Sequence, residues 1–75
     1  HREPSLMGVP NRLYRGKIVQ HLRQQPFSDI EELFRVLHIS TKHRRWLVTL
    51  LSKMEQDGII ELHGTENYFR ISLPK

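Results

Sequence analysis

Three helix-period runs joined by short turns, a glycine stop at Gly58 and two strand-like runs beyond it predict an α+β fold that is mainly α. Three helices followed by a C-terminal β-hairpin, with a tight turn between helices two and three, is the order of a winged helix-turn-helix domain. At 75 residues the chain holds one domain, near the lower limit for a core without staples. Residues 11–73 are expected to form that domain. Residues 1–10, where Pro4, Gly8 and Pro10 interrupt scattered apolar side chains, read as a flexible leader.

The first helix is expected over residues 11–24, with Asn11 as N-cap and Pro26 as stop signal. Tyr14, Ile18 and Leu22 share one face, with Val19 at its margin. Gly16 inside this helix costs about 1 kcal/mol against alanine and marks at most the close approach of another backbone. Ser28-Asp29-Ile30-Glu31 matches a capping box, in which Ser28 and Glu31 satisfy each other's orphan amides. The second helix then runs over 29–37 with Ile30, Leu33, Phe34 and Leu37 inward.

After the turn His38-Ile39-Ser40, Ser40 or Thr41 caps a third helix reaching Asp57, and Gly58 is its left-handed terminator. Leu47, Leu50, Leu51 and Met54 form the buried stripe of that helix, while Lys42, Arg45, Thr49, Ser52, Lys53 and Gln56 occupy the opposite side. Ile59–Leu62 and Tyr68–Leu73 are the strands of the hairpin, joined by His63-Gly64-Thr65-Glu66-Asn67.

The same sequence argues against an enzyme. None of the five histidines has a partner at the i, i+4 spacing that puts two imidazoles on one helical face, so no metal site is expected. His43 is read as packing or capping. The four glycines stand alone, which leaves no phosphate loop and no expected cofactor. Glu31 and Glu32 open a helix, where they favour the positive end of its dipole. There is no cysteine to form a disulfide, which suits a reducing cytoplasm, and the apolar runs are too short for a membrane span. A cytoplasmic protein is expected. The unpatterned first ten residues and the end just past Pro74 are compatible with excision from a longer chain, which the sequence alone does not decide.

Charge points to a binding role. The net charge is +4, and the stretch 40–57 is cationic through Lys42, Arg44, Arg45 and Lys53 against Glu55 and Asp57. In a recognition helix Lys42 and Arg45 meet bases or phosphates, with Thr41 and Thr49 as neutral hydrogen-bonding groups. Arg12, Arg15 and Arg23 on helix one form a second patch. In the hairpin Glu61 and Glu66 offset Arg70, less positive charge than a DNA-binding wing usually carries. The plain alternative is a solvated face that keeps helix three soluble. Trp46, at the border of the apolar stripe and the basic face, reads equally as a lid on the core or as a contact anchor.

From Ile39 to Gly58 the chain reads Ile-Ser-Thr-Lys-His-Arg-Arg-Trp-Leu-Val-Thr-Leu-Leu-Ser-Lys-Met-Glu-Gln-Asp-Gly. This run resembles the helical segment preceding methyltransferase regions in modular polyketide synthases: a small hydrophobic residue, a Lys-aromatic-Arg-Arg run, leucines, then an acidic-Gly end. His43 stands where that pattern usually has tyrosine and Thr41 where it often has proline, and Ile39 to Gly58 align without a gap. Transcriptional regulators have a similar leucine pattern, but their helix cap falls closer to the glycine than Ser40 does. The resemblance covers residues 39–60 well and 11–72 loosely.

What the resemblance implies is a winged-helix module in an assembly line, acting on proteins. Nothing in the chain resembles the cofactor-binding half of a methyltransferase, so that activity is not carried over. The expected partner is an acidic carrier protein or a neighbouring synthase domain, met by Lys42, Arg44, Arg45 and Trp46, with Thr49, Lys53, Arg12 and Arg15 around them. Sequence-specific binding of double-stranded DNA by a regulator is the alternative.

Overall fold

The structure, a computed structural model, describes residues 5–6, 8–64 and 69–74. Strands β1 (Ser5–Leu6) and β2 (Val9–Pro10) pair antiparallel and lead directly into α1 (Asn11–Gln24). The expected leader is thus partly regular. Gly8 sits between the two strands at a φ of 78°, and the Tyr14 hydroxyl donates to the Leu6 carbonyl at 3.2 Å. Strands of two residues are too short to carry a readable period, which is why no pattern announces them.

Helix α1 has its expected bounds but a different start. Pro10, in an extended conformation, occupies the N-cap position and makes no side-chain cap bond. Asn11 is therefore inside the helix, and its Oδ1 accepts from the Trp46 indole N–H at 3.3 Å. At the other end Gln25 is extended, as a residue before proline prefers. Tyr14, Ile18 and Leu22 are buried as expected. Gly16 is not: it is exposed, and a Cβ built on it would meet nothing within 4 Å. Among the described residues no other backbone approaches it. Gly16→Ala is accordingly expected to stabilise the domain by about 1 kcal/mol, read as a rise in the urea midpoint. A fall in the midpoint would show that the glycine has a conformational role within the fold.

The capping box is replaced by a strand and a simpler cap. Asp29, not Ser28, is the N-cap of α2 (Ile30–Leu37), and its Oδ1 accepts from the Glu32 amide at 2.8 Å. Ser28 is buried, and with Asp29 it forms β3 (Ser28–Asp29), a short strand that the sequence pattern does not announce. Ile30, Leu33, Phe34 and Leu37 are the buried residues of α2, as predicted. The helix ends on His38 at a φ of 56°, with the His38 amide bonded to the Arg35 carbonyl and the Ile39 amide to the Phe34 carbonyl.

Ser40 caps a 3-10 turn, Thr41–His43, by accepting from the Lys42 amide at 3.3 Å, and α3 (Arg44–Gln56) follows it. The expected first turn of helix three is thus wound more tightly than the rest. Leu47, Leu50, Leu51 and Met54 are buried. Gly58, at a φ of 76°, ends the helix: its amide reaches the Glu55 carbonyl and that of Ile59 the Met54 carbonyl. This bond pattern matches the end of α2, with glycine now supplying the left-handed residue.

Strands β4 (Glu61–Gly64) and β5 (Phe69–Ser72) pair antiparallel, and β5 also pairs with β3, Ser28 opposite Ile71 and Asp29 opposite Arg70. The sheet order is β3-β5-β4. The first hairpin strand begins two residues later than expected, because Ile59 and Ile60 complete the helix end and Ile60 is buried in the core. His63 and Gly64, predicted as turn, belong to β4. Thr65, Glu66, Asn67 and Tyr68 lie outside the described residues. On β4 the Leu62 amide donates to the Glu55 carboxylate on α3 at 3.1 Å.

The described chain is therefore a small α+β structure, mainly helical, with three α-helices and a three-stranded antiparallel sheet. One core joins the inward faces of the helices to Ile60, Phe69 and Ile71.

Candidate functional site

The outward face of α3 follows from the burial of the opposite stripe. At 100° per residue Arg45, Thr49 and Lys53 point away from Leu47, Leu50, Leu51 and Met54, and all three are exposed. Lys42, on the preceding 3-10 turn, is exposed as well. Lys53 lies 4.0 Å from Asp57 one turn on, an exposed pair of little energetic weight. Glu55 is turned to the edge of β4. The arc through Arg45, Thr49 and Lys53 thus carries cations and a hydroxyl.

Two of the residues predicted for the contact are engaged within the fold. The Arg44 guanidinium meets the Glu31 carboxylate of α2 at 3.1 Å, on the flank of α3 turned toward that helix. Trp46 is half-buried, stands edge-on to Tyr14 with ring centroids 4.9 Å apart, and gives its N–H to Asn11. It thus packs against the core where α1 meets α3. The Asn11 bond also sets the amino-terminal turn of α1 beside that of α3. Arg12 follows Asn11 directly and is exposed; Arg15, one turn on, is half-buried. His43, read as packing or capping, stands half-buried at the N-cap position of α3 without a side-chain cap bond.

Two polar clusters were not anticipated from the sequence. His21 Nε2 lies 2.5 Å from Glu32 Oε2 and 2.9 Å from the Gln25 amide nitrogen, which also reaches Glu32 and the Phe27 carbonyl. This cluster ties the end of α1 to the start of α2. On the sheet, His63 Nε2 is 3.0 Å from Ser72 Oγ and 3.6 Å from Glu61 Oε1. A nucleophile relay needs the carboxylate on the ring nitrogen opposite the hydroxyl. Here one nitrogen meets both groups, so the trio does not make that relay. Its members come together only through the strand register.

Beside this trio Phe27 is 49% exposed, with the Arg70 guanidinium 5.9 Å above its ring and His63 at its edge. Arg70, the cation predicted for the wing, is thus spent against an aromatic of the α1–β3 connector. Among the described residues no three histidines or carboxylates are grouped to hold a metal ion, and no helix is long and apolar enough to cross a membrane. Comparison with protein-family models, curated proteins and solved structures finds no match.

Proposed function

We propose that this chain is a non-catalytic winged-helix module that docks an acidic protein through the outward face of α3. The favoured partner is a carrier protein or neighbouring domain of a polyketide synthase. The winged-helix reading is supported by the order α1, β3, α2, α3, β4, β5, in which β3 completes the sheet of the hairpin. The docking reading is carried by one observation: Lys42, Arg45, Thr49 and Lys53 are exposed together, while the nearby Glu55 is turned away to β4. Such a face steers an acidic partner into place and fixes its register. The sequence resemblance over Ile39–Gly58 supplies the assembly-line context.

Double-stranded DNA is the second reading, favoured by the exposure of Arg45 and Thr49 on a helix reached from α2 across a short turn. Against it, the described hairpin offers Glu61 and His63 beside an Arg70 engaged with Phe27.

The test is a titration of isotope-labelled protein at about 0.15 M salt, where screening is already substantial, with an acidic carrier protein and separately with duplex DNA. Shifts at Lys42, Arg45, Thr49 and Lys53 with the carrier protein are expected, and Lys42→Glu with Arg45→Glu should weaken the complex at least about tenfold, or 1.4 kcal/mol. Both positions are exposed, so the unfolding midpoint should hold. Binding to DNA alone, with affinity falling steeply as salt rises, would overturn the protein-docking reading.

A further inference from the structure

A groove of about 580 Å³ opens between α1 and α2, on a different flank of α1 from the Asn11 contact with α3. Val9, Leu13, Gly16 and Val36 provide its apolar wall, with Lys17 and Gln20 beside them. Leu13 is 51% exposed, and with Phe27 it is one of the large apolar side chains left in solvent among the described residues. Gly16 lies one turn beyond Leu13, in the middle of a helix that would be firmer with alanine there. Among the described residues nothing lies within 4 Å of a Cβ built on it. A glycine that the fold does not use, next to an uncovered leucine, suits the close approach of a backbone from outside.

The charge around the groove selects its occupant. Lys17 lines the groove, and helix α1 as a whole carries four Lys or Arg side chains and no carboxylate. Glu32, which meets the groove-lining His21, is held by that ring and by Gln25. A second copy of this chain packed on the same groove would bring two cationic α1 helices together, which like-charge repulsion opposes. We propose that the α1–α2 groove around Gly16 receives an acidic amphipathic helix of a partner protein. Apolar side chains at i, i+3, i+4 and i+7 of that helix lie against Leu13, Val9 and Val36, and its backbone crosses over Gly16. Its carboxylates face Lys17. This inference is independent of the α3 face and stands or falls on different residues.

The experiment uses a synthetic helical peptide of about 18 residues, five turns, with leucines at those spacings and glutamates flanking them. A second peptide has lysine in place of every glutamate. With the acidic peptide, labelled protein should shift at Leu13, Gly16, Lys17 and Val36, and the lysine peptide should bind at least tenfold more weakly. Leu13→Glu, at an exposed site, should weaken binding at least tenfold with an unchanged fold. Gly16→Leu should do the same while raising the unfolding midpoint, since it fills the crossing point and favours the helix. Loss of binding together with a gain in stability is an outcome that misfolding cannot produce. Equal binding of both peptides, unaltered binding by Gly16→Leu, or concentration-dependent dimerisation lost in Leu13→Glu would each overturn the proposal. Shifts centred on Lys42 and Arg45 instead would overturn it while supporting the α3 surface.

Discussion

Leu51→Ala is expected to lower the unfolding free energy by about 3 kcal/mol, within the range for leucine truncation in a packed core. Leu51 is 0% exposed and belongs to the α3 stripe that packs in the common core. At roughly 0.05–0.15 kcal/mol per residue, a chain of 75 residues has a total stability of about 4–11 kcal/mol. The single substitution therefore removes a large share of it, with no cysteine in the sequence to form a disulfide brace. Urea denaturation should show a much lower midpoint, or an unfolded variant if the total is near the bottom of that range. Thr49→Ala, two residues earlier on the outer face, should stay within about 0.5 kcal/mol of the parent. Similar losses at the two positions would mean that α3 does not sit on the core by its leucine stripe.

Removing the Trp46 ring has the next largest effect. Trp46→Ala loses the edge-on contact with Tyr14 and the bond to Asn11. The ring is half-buried, so a loss of about 2–3 kcal/mol is expected, below the range for a fully buried tryptophan. Trp46→Phe keeps an aromatic against Tyr14 and gives up the N–H, for about 1 kcal/mol. The graded series separates the two roles that the sequence left level. A lid on the core yields the stability losses in the order alanine, phenylalanine, parent. A pure contact anchor would leave stability within about 0.5 kcal/mol while partner binding collapsed, and that result would remove Trp46 from the α1–α3 joint.

The elements that could be read in the sequence were those with long, redundant patterns. The inward faces of α1, α2 and α3 were predicted residue for residue, because an apolar side chain every third or fourth position has few other solutions. Gly58 was legible because few residues but glycine accept its backbone angle at ease. What escaped was whatever depends on a partner distant in sequence. Ser28 is a plausible N-cap until β5 is beside it, when its backbone joins a ladder and Asp29 takes the cap. Asn11 and Trp46 are 35 residues apart, and no local rule links an indole to an amide at that separation. For the candidate site, the exposure of Lys42, Arg45, Thr49 and Lys53 was readable from the helical wheel. The use of Arg44 by Glu31 was not, since it required the packing of α2 on α3.

The bond from the Leu62 amide to Glu55 has a bearing on how this chain behaves in crowded surroundings. An outermost strand offers unpaired amides to any extended peptide, and growth of one sheet onto another begins there. In β4 one such amide is already taken by a carboxylate, which a newcomer must displace before it can add a rung. The opposite border of the sheet is β3, two residues long and preceded by Pro26, too short to template a neighbour. Both borders are blunted, one by an acid borrowed from a helix and the other by brevity. Molecules of this chain packed side by side therefore have little means of growing through the borders of this three-stranded sheet.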